Sequence, residues 1–127
     1  MDYEITDYIT PEEYMEMRKL VGWTDFPMEQ AEQGLKHTAH LCVFRKDGKV
    51  IALARVLTDH GYVVYIADVI VDEKYRGKGI GKKLISTIVS DNRFSNLLGL
   101  LVTRDAHGLY EQFGFVKDSE RAMTRRI

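Results

Sequence analysis

The stretch Asp68-Val69-Ile70-Val71-Asp72-Glu73-Lys74-Tyr75-Arg76-Gly77-Lys78-Gly79-Ile80-Gly81-Lys82-Lys83-Leu84 decides the fold. Val69, Ile70 and Val71 are β-branched and predict a strand, a short charged turn leads into alternating glycines, and a helical pattern begins at once. The glycines let backbone N–H groups come close to a bound group, and the helix start sets its unpaired N–H groups and positive dipole end beside them. Strand, glycine loop and helix together make an anion cradle, around which Arg76, Lys78, Lys82 and Lys83 add full charges. The plain alternative is a tight turn followed by a solvated basic helix start.

The chain has 127 residues, enough for one core, and is read as one domain over 1–127. Its 45% hydrophobic and 29% charged residues fit a soluble globular protein. A net charge of -1 argues against a general nucleic-acid binder, so anion specificity has to be local. Cys42 is the only cysteine, which rules out an intrachain disulfide and, with no clustered ligands, predicts no metal site. Cys42 itself reads as an inert buried thiol in a strand. The N-terminus has no apolar leader and no run is long enough to span a membrane, so the expected location is the cytoplasm.

Outward from the central stretch, the pattern predicts a short strand over Tyr3 to Tyr8. A capped helix follows, opened by Thr10-Pro11-Glu12-Glu13 and running to about Leu20. Val21-Gly22-Trp23-Thr24-Asp25-Phe26-Pro27 breaks the pattern, and a second helix runs from Met28 to about Lys36. Trp23 and Phe26 in this connector are candidate substrate contacts, with ordinary core packing an equal alternative. Leu41 to Phe44 and Val50 to Leu57 form a hairpin around Asp47-Gly48, and Tyr62 to Val71 is the next strand. Beyond the loop, Ile80, Leu84, Ile85, Ile88 and Val89 make one apolar helical stripe that ends by Asp91-Asn92-Arg93. Leu97 to Thr103 reads as a strand buried on both faces, reached by a parallel crossover. A short helix over Ala106 to Phe113 and a last hairpin from Phe115-Val116 to Ala122–Arg125 complete the chain. The expected class is α+β, an α/β/α sandwich whose mixed sheet carries helices on both faces.

Two signatures at this separation, Arg76-Gly77-Lys78-Gly79-Ile80-Gly81 and Leu109-Tyr110-Glu111-Gln112-Phe113-Gly114-Phe115, make the chain resemble the GNAT superfamily of acyl-CoA-dependent N-acetyltransferases. Val21-Gly22-Trp23 with Ala67 to Asp72 is similar to the small single-domain branch that includes chloroplast and cyanobacterial arylalkylamine acetyltransferases. Other glycine-loop motifs fail on spacing. A dinucleotide fingerprint begun at Gly77 would need glycine at Lys82, and a Walker loop needs one more residue between Gly77 and Gly81.

The resemblance implies acetyl-CoA as co-substrate, its pyrophosphate on the amides from Gly77 to Lys82 and its pantetheine arm along the backbone of Val69 and Val71. An N–H near Val69 or Ile70 would polarise the thioester carbonyl. Tyr110 matches the family's general acid, since a phenol stays protonated at neutral pH and can donate to the departing sulfur. Its alternative is a packing tyrosine. The amine arrives protonated and needs a base, or a water chain, to take its proton. Asp68 is the first candidate because a carboxylate within an apolar strand is costly unless paired or used; a hydrogen-bonded structural aspartate is the competing reading. The expected reaction is acetyl transfer to a primary amine of a small molecule by direct attack in a ternary complex. A protein or peptide acceptor, or a non-catalytic CoA-binding sensor or interaction module on the same fold, stays open. The expected partners are that small-molecule amine and, as among relatives, a second copy in a homodimer, with no nucleic acid and no membrane.

Overall fold

The computed structural model describes residues 2–126. One sheet takes its strands in chain order: β1 (Glu4–Thr6), β2 (His40–Lys46), β3 (Lys49–Thr58), β4 (Val63–Val71) and β5 (Leu98–Leu101). The first four are antiparallel, and β5 joins β4 in parallel after a crossover through α3 (Ile80–Val89). Helices α1 (Pro11–Leu20) and α2 (Met28–Lys36) cover one face of the sheet, while α3 and the short α4 (His107–Glu111) cover the other. This is the expected mixed α+β architecture with helices on both faces. Among the described residues, no helix is long and apolar enough to cross a membrane.

Local chemistry explains where the elements begin. At the start of α1, the Glu13 N–H donates to Thr10 Oγ1 (3.1 Å) and the Thr10 N–H donates to Glu13 Oε1 (3.0 Å). The same Glu13 carboxylate meets the buried guanidinium of Arg45 on β2 at 2.7 Å. The hydrogen bond from Arg45 pulls the Glu13 carboxyl from 4.5 to about 2. One residue therefore both caps the helix and ties it to the sheet. In the β2–β3 turn, Asp47 (φ 52°) and Gly48 (φ 80°) take the left-handed conformations a tight hairpin requires.

The decisive irregularity lies in β4. Arg55 pairs with Asp68 but Val56 pairs with Ile66, so Ala67 is an extra residue opposite β3. Side chains alternate along a strand, and one inserted residue exchanges their faces. Before the bulge, Val64 and Ile66 pack with Leu84, Ile85 and Ile88 of α3. After it, Asp68 and Ile70 turn towards Tyr14 of α1, while Val69 and Val71 take over the α3 face.

Two expectations need correction. β5 is shorter than Leu97 to Thr103 and is not buried on both faces, because Leu98 (50%) and Leu100 (48%) are exposed. As the edge strand it is covered on one side only, where Phe115 packs over Gly99, while α1 lies chiefly over β3. The closing hairpin does not form either: the described residues after α4 contain no strand, and Val116 and Met123 are exposed. Between them, Lys117-Asp118-Ser119-Glu120-Arg121 offers no apolar face to lay against the open edge of β5.

Candidate functional site

Pairing between β4 and β5 stops at Ile66–Leu101, so residues 67–71 of β4 have a neighbouring strand on the β3 side only. The Asp72 N–H donates to the Ile51 carbonyl at 2.9 Å. In an antiparallel ladder, bonded and non-bonded pairs alternate, so the backbone groups of Ile70 and Asp68 also point to β3 and those of Val69 and Val71 point into the gap. Arg76 Nε already donates to the Val71 carbonyl at 3.2 Å. Of the two residues proposed to polarise a carbonyl, only Val69 keeps its N–H on the open side. Ile70 is a core residue whose main chain is committed to β3.

The loop then turns the chain into α3. Asp72 caps a 3-10 turn (Glu73–Tyr75) by accepting from the Lys74 N–H at 3.0 Å. Gly77 (φ 77°) and Gly79 (φ 79°) follow in left-handed conformations that β-carbon sterics disfavour. The Lys83 N–H makes the first helical bond, to Gly79 at 3.0 Å, so the N–H groups of Ile80, Gly81 and Lys82 stand ahead of the helical ladder. Arg76, Lys78, Lys82 and Lys83 are exposed around them, and Lys83 also lies over the Tyr3 ring at 5.2 Å. The side chain of Ile80 is buried, leaving its backbone to the cradle. Gly81 serves close packing: a β-carbon there would lie 3.6 Å from Leu109 of α4 and 3.9 Å from Val71. Loop, gap and α4 are thereby brought together.

Tyr110 stands on α4 in the same apolar cluster as Val69 and Val71, with its ring edge-on to Phe115 at 6.0 Å. Burial pushes its phenol above the ordinary value of 10.0. Its hydroxyl makes no hydrogen bond to any described residue. The hydroxyl oxygen is open to solvent, so it can bond water or a bound group.

Asp68, Trp23 and Phe26 gather on the other face. Asp68 Oδ2 accepts from Tyr14 Oη at 2.5 Å and from Arg55 Nε at 2.6 Å, and Arg18 Nη1 lies 3.7 Å from Oδ1. Burial and the neighbouring Asp68 charge raise the Tyr14 phenol. Burial, the largest single influence, would lower the Arg55 guanidinium, but the hydrogen bond and charge of Asp68 together with Tyr14 hold it above its ordinary value. Both catalytic and structural readings of Asp68 have to account for these three partners. Trp23 and Phe26 in turn surround the guanidinium of Arg18, at 5.2 and 4.5 Å from its centre. Arg18, Arg55 and Tyr14 were not singled out from the sequence. The available signal was Arg55 itself, a lone charge in the apolar run of β3 as Asp68 is in β4. A concavity of about 510 Å³ lies elsewhere, between the end of α3, β5 and Phe115, and touches none of these groups.

The description "Acetyltransferase (GNAT) domain" matches residues 37–117. The uncharacterized N-acetyltransferase ycf52 of Pyropia yezoensis is 27% identical over 106 residues, 79% of this chain and 61% of its own length. The chloroplastic GCN5-related N-acetyltransferase 2 of Arabidopsis thaliana is 32% identical over 60% of this chain and 30% of its own. The chain thus spans at most about three fifths of these two relatives. A GNAT-family acetyltransferase structure from Streptococcus pneumoniae superposes with a TM-score of 0.79 at 25% identity, covering 99% of this chain and 95% of its own. An aminoglycoside N-acetyltransferase solved in complex with CoA shares the fold, with a TM-score of 0.71 at 20% identity over 99% and 95% of the two chains. With the family description matching most of its length and the fold agreeing throughout, this chain belongs to the GNAT acetyltransferase family.

Proposed function

We propose that residues 1–127 form a single N-acetyltransferase domain that moves an acetyl group from acetyl-CoA to a primary amine of a small molecule by direct attack in a ternary complex. One combination carries this reading: free helix-start amides, a strand edge at Val69 that β5 does not pair, and Tyr110 in the same apolar cluster as Val69 and Val71, its hydroxyl bonded to no described residue. The cofactor supplies an activated acyl thioester. The amides from Gly77 to Lys82 bind its pyrophosphate, with Arg76, Lys78 and Lys82 adding charge. The open backbone edge of Val69 and Val71 aligns the amide-bearing arm, and the Val69 N–H donates to the acyl carbonyl oxygen where negative charge develops. Tyr110 gives its proton to the departing sulfur.

Asp68 fits the structural role better than that of a base. Protonating it would disrupt bonds to Arg55 and Tyr14 and leave two guanidinium groups without their shared anion. The amine proton is therefore assigned to solvent rather than to Asp68. Trp23 and Phe26 border the acceptor side. The deciding experiment incubates the protein with acetyl-CoA and a panel of phenethylamine, tryptamine, spermidine and a lysine-bearing peptide, and measures free CoA thiol. Amine-dependent release is expected. A thioester that is bound but stays intact with every amine would overturn the reading in favour of a CoA-binding module, and release with the peptide alone would move the acceptor to proteins.

A further inference from the structure

Arg18 stands in the last turn of α1, one helical turn beyond Tyr14 and just before the aromatic connector. Its carbonyl accepts from the Trp23 N–H at 3.0 Å, and its Nη2 donates to the Thr24 carbonyl at 3.1 Å. The guanidinium lies among three rings, with centroids at 4.5 Å for Phe26, 5.2 Å for Trp23 and 5.8 Å for Tyr14. Its far end approaches Asp68 at 3.7 Å, beside the bulge and one residue before Val69. The connector carries no other charge-assisted bond to the sheet among the described residues. A cation sandwiched by aromatic faces and bonded to main chain keeps its geometry far better than an exposed ion pair does.

We propose that Arg18 is a positioning residue for the acceptor: it clasps the Trp23–Phe26 connector to β4 through Asp68 and so sets the distance between the acceptor wall and the strand edge at Val69. This rests on the proposed function, in which the connector borders the acceptor and Val69 the acyl group. A planar fork is required, because an ammonium cannot at once stack against the aromatic faces, bond Thr24 and reach Asp68. The guanidinium also fills the ring faces turned towards it, so an acceptor is left the outer face of Trp23, which is 38% exposed.

The test compares wild type with Arg18→Lys and Arg18→Gln, using the most active amine of the panel. For both variants the acceptor KM is expected to rise about tenfold or more, the loss of a single charge-assisted contact, while the acetyl-CoA KM and the far-UV circular dichroism stay as in wild type. Trp23 is the only tryptophan, so its emission reports the connector alone. Acrylamide quenching should increase in both variants relative to wild type, and an amine concentration near the wild-type KM should add protection in wild type but not in the variants. Unchanged acceptor KM in an active, folded Arg18→Gln protein overturns the clasp and leaves the transferase reading intact. An equal rise in both substrates' KM with lost dichroism overturns it too, reducing Arg18 to a structural role; if Arg18→Gln fails to fold, Arg18→Lys decides between the same outcomes. A wild-type protein that releases no CoA with any amine sinks the transferase reading itself, and the positioning role with it.

Discussion

Tyr110 and Asp68 are both polar groups within apolar surroundings, and their partners separate their roles. Tyr110 shares an apolar cluster with Val69 and Val71, and its hydroxyl bonds no described residue, so on the proposed function Tyr110→Phe should lower kcat by about a hundredfold or more with acetyl-CoA affinity retained, measured by steady-state kinetics and calorimetry. As the proposed acid it acts in its protonated form, and burial raises its phenol above 10.0. Activity should therefore show no alkaline decline until the pH passes that value, and a limb near neutrality in the kcat profile would point to another acid. Asp68 instead accepts from Tyr14 and Arg55 and faces Arg18. Asp68→Asn should destabilise the fold by about 3–5 kcal/mol in urea unfolding, the usual consequence of breaking a buried ion cluster from one side. A variant of full stability that lost only the acidic limb of its pH profile would return the base role to Asp68.

Among the elements, the glycine loop and α1 each hold a device that can be removed cleanly. Gly79 sits at φ 79° with open space where a β-carbon would project. Gly79→Val should cost about 1–2 kcal/mol in left-handed strain and abolish acetyl-CoA binding by calorimetry while the sheet survives. Normal affinity would reject the cradle. At the start of α1, Glu13 joins the helix cap to Arg45. Its carboxyl falls from 4.5 to about 2 on folding, so its stabilisation is complete above pH 4.5 and is lost as the pH drops towards 2. Glu13→Gln should cost about 1–2 kcal/mol at neutral pH, a figure already reduced for the carboxylate's partial exposure. The gap to wild type in urea titrations should close between those two pH values.

At the scale of the whole molecule, a net charge of -1 conceals one strongly basic end, where Arg76, Lys78, Lys82 and Lys83 surround the loop. Acetyl-CoA binding should therefore weaken several-fold as salt rises from about 0.05 to 0.5 M, a range over which screening shortens to a few ångströms, and calorimetric titration at both strengths checks this. The order of elements was legible in the sequence because its signals are local: the Thr10 capping box, the Asp47-Gly48 turn, the apolar stripe of α3 and the glycine loop act between near neighbours. The loop and Tyr110 could be marked as a candidate site for the same reason, each standing in a short motif. The partners of Asp68 were not legible, since Tyr14, Arg18 and Arg55 come from separate elements that meet only when helix and sheet close. Nor was the cover of β5, because an apolar run of its kind suits a central or an edge strand equally. The sequence by itself thus determined the helices and the order of the strands as far as α4, and marked one candidate anion cradle. Only the tertiary structure decided which face each residue of β4 serves, because one bulge at Ala67 reverses them and no local propensity specifies how a strand registers against a distant neighbour.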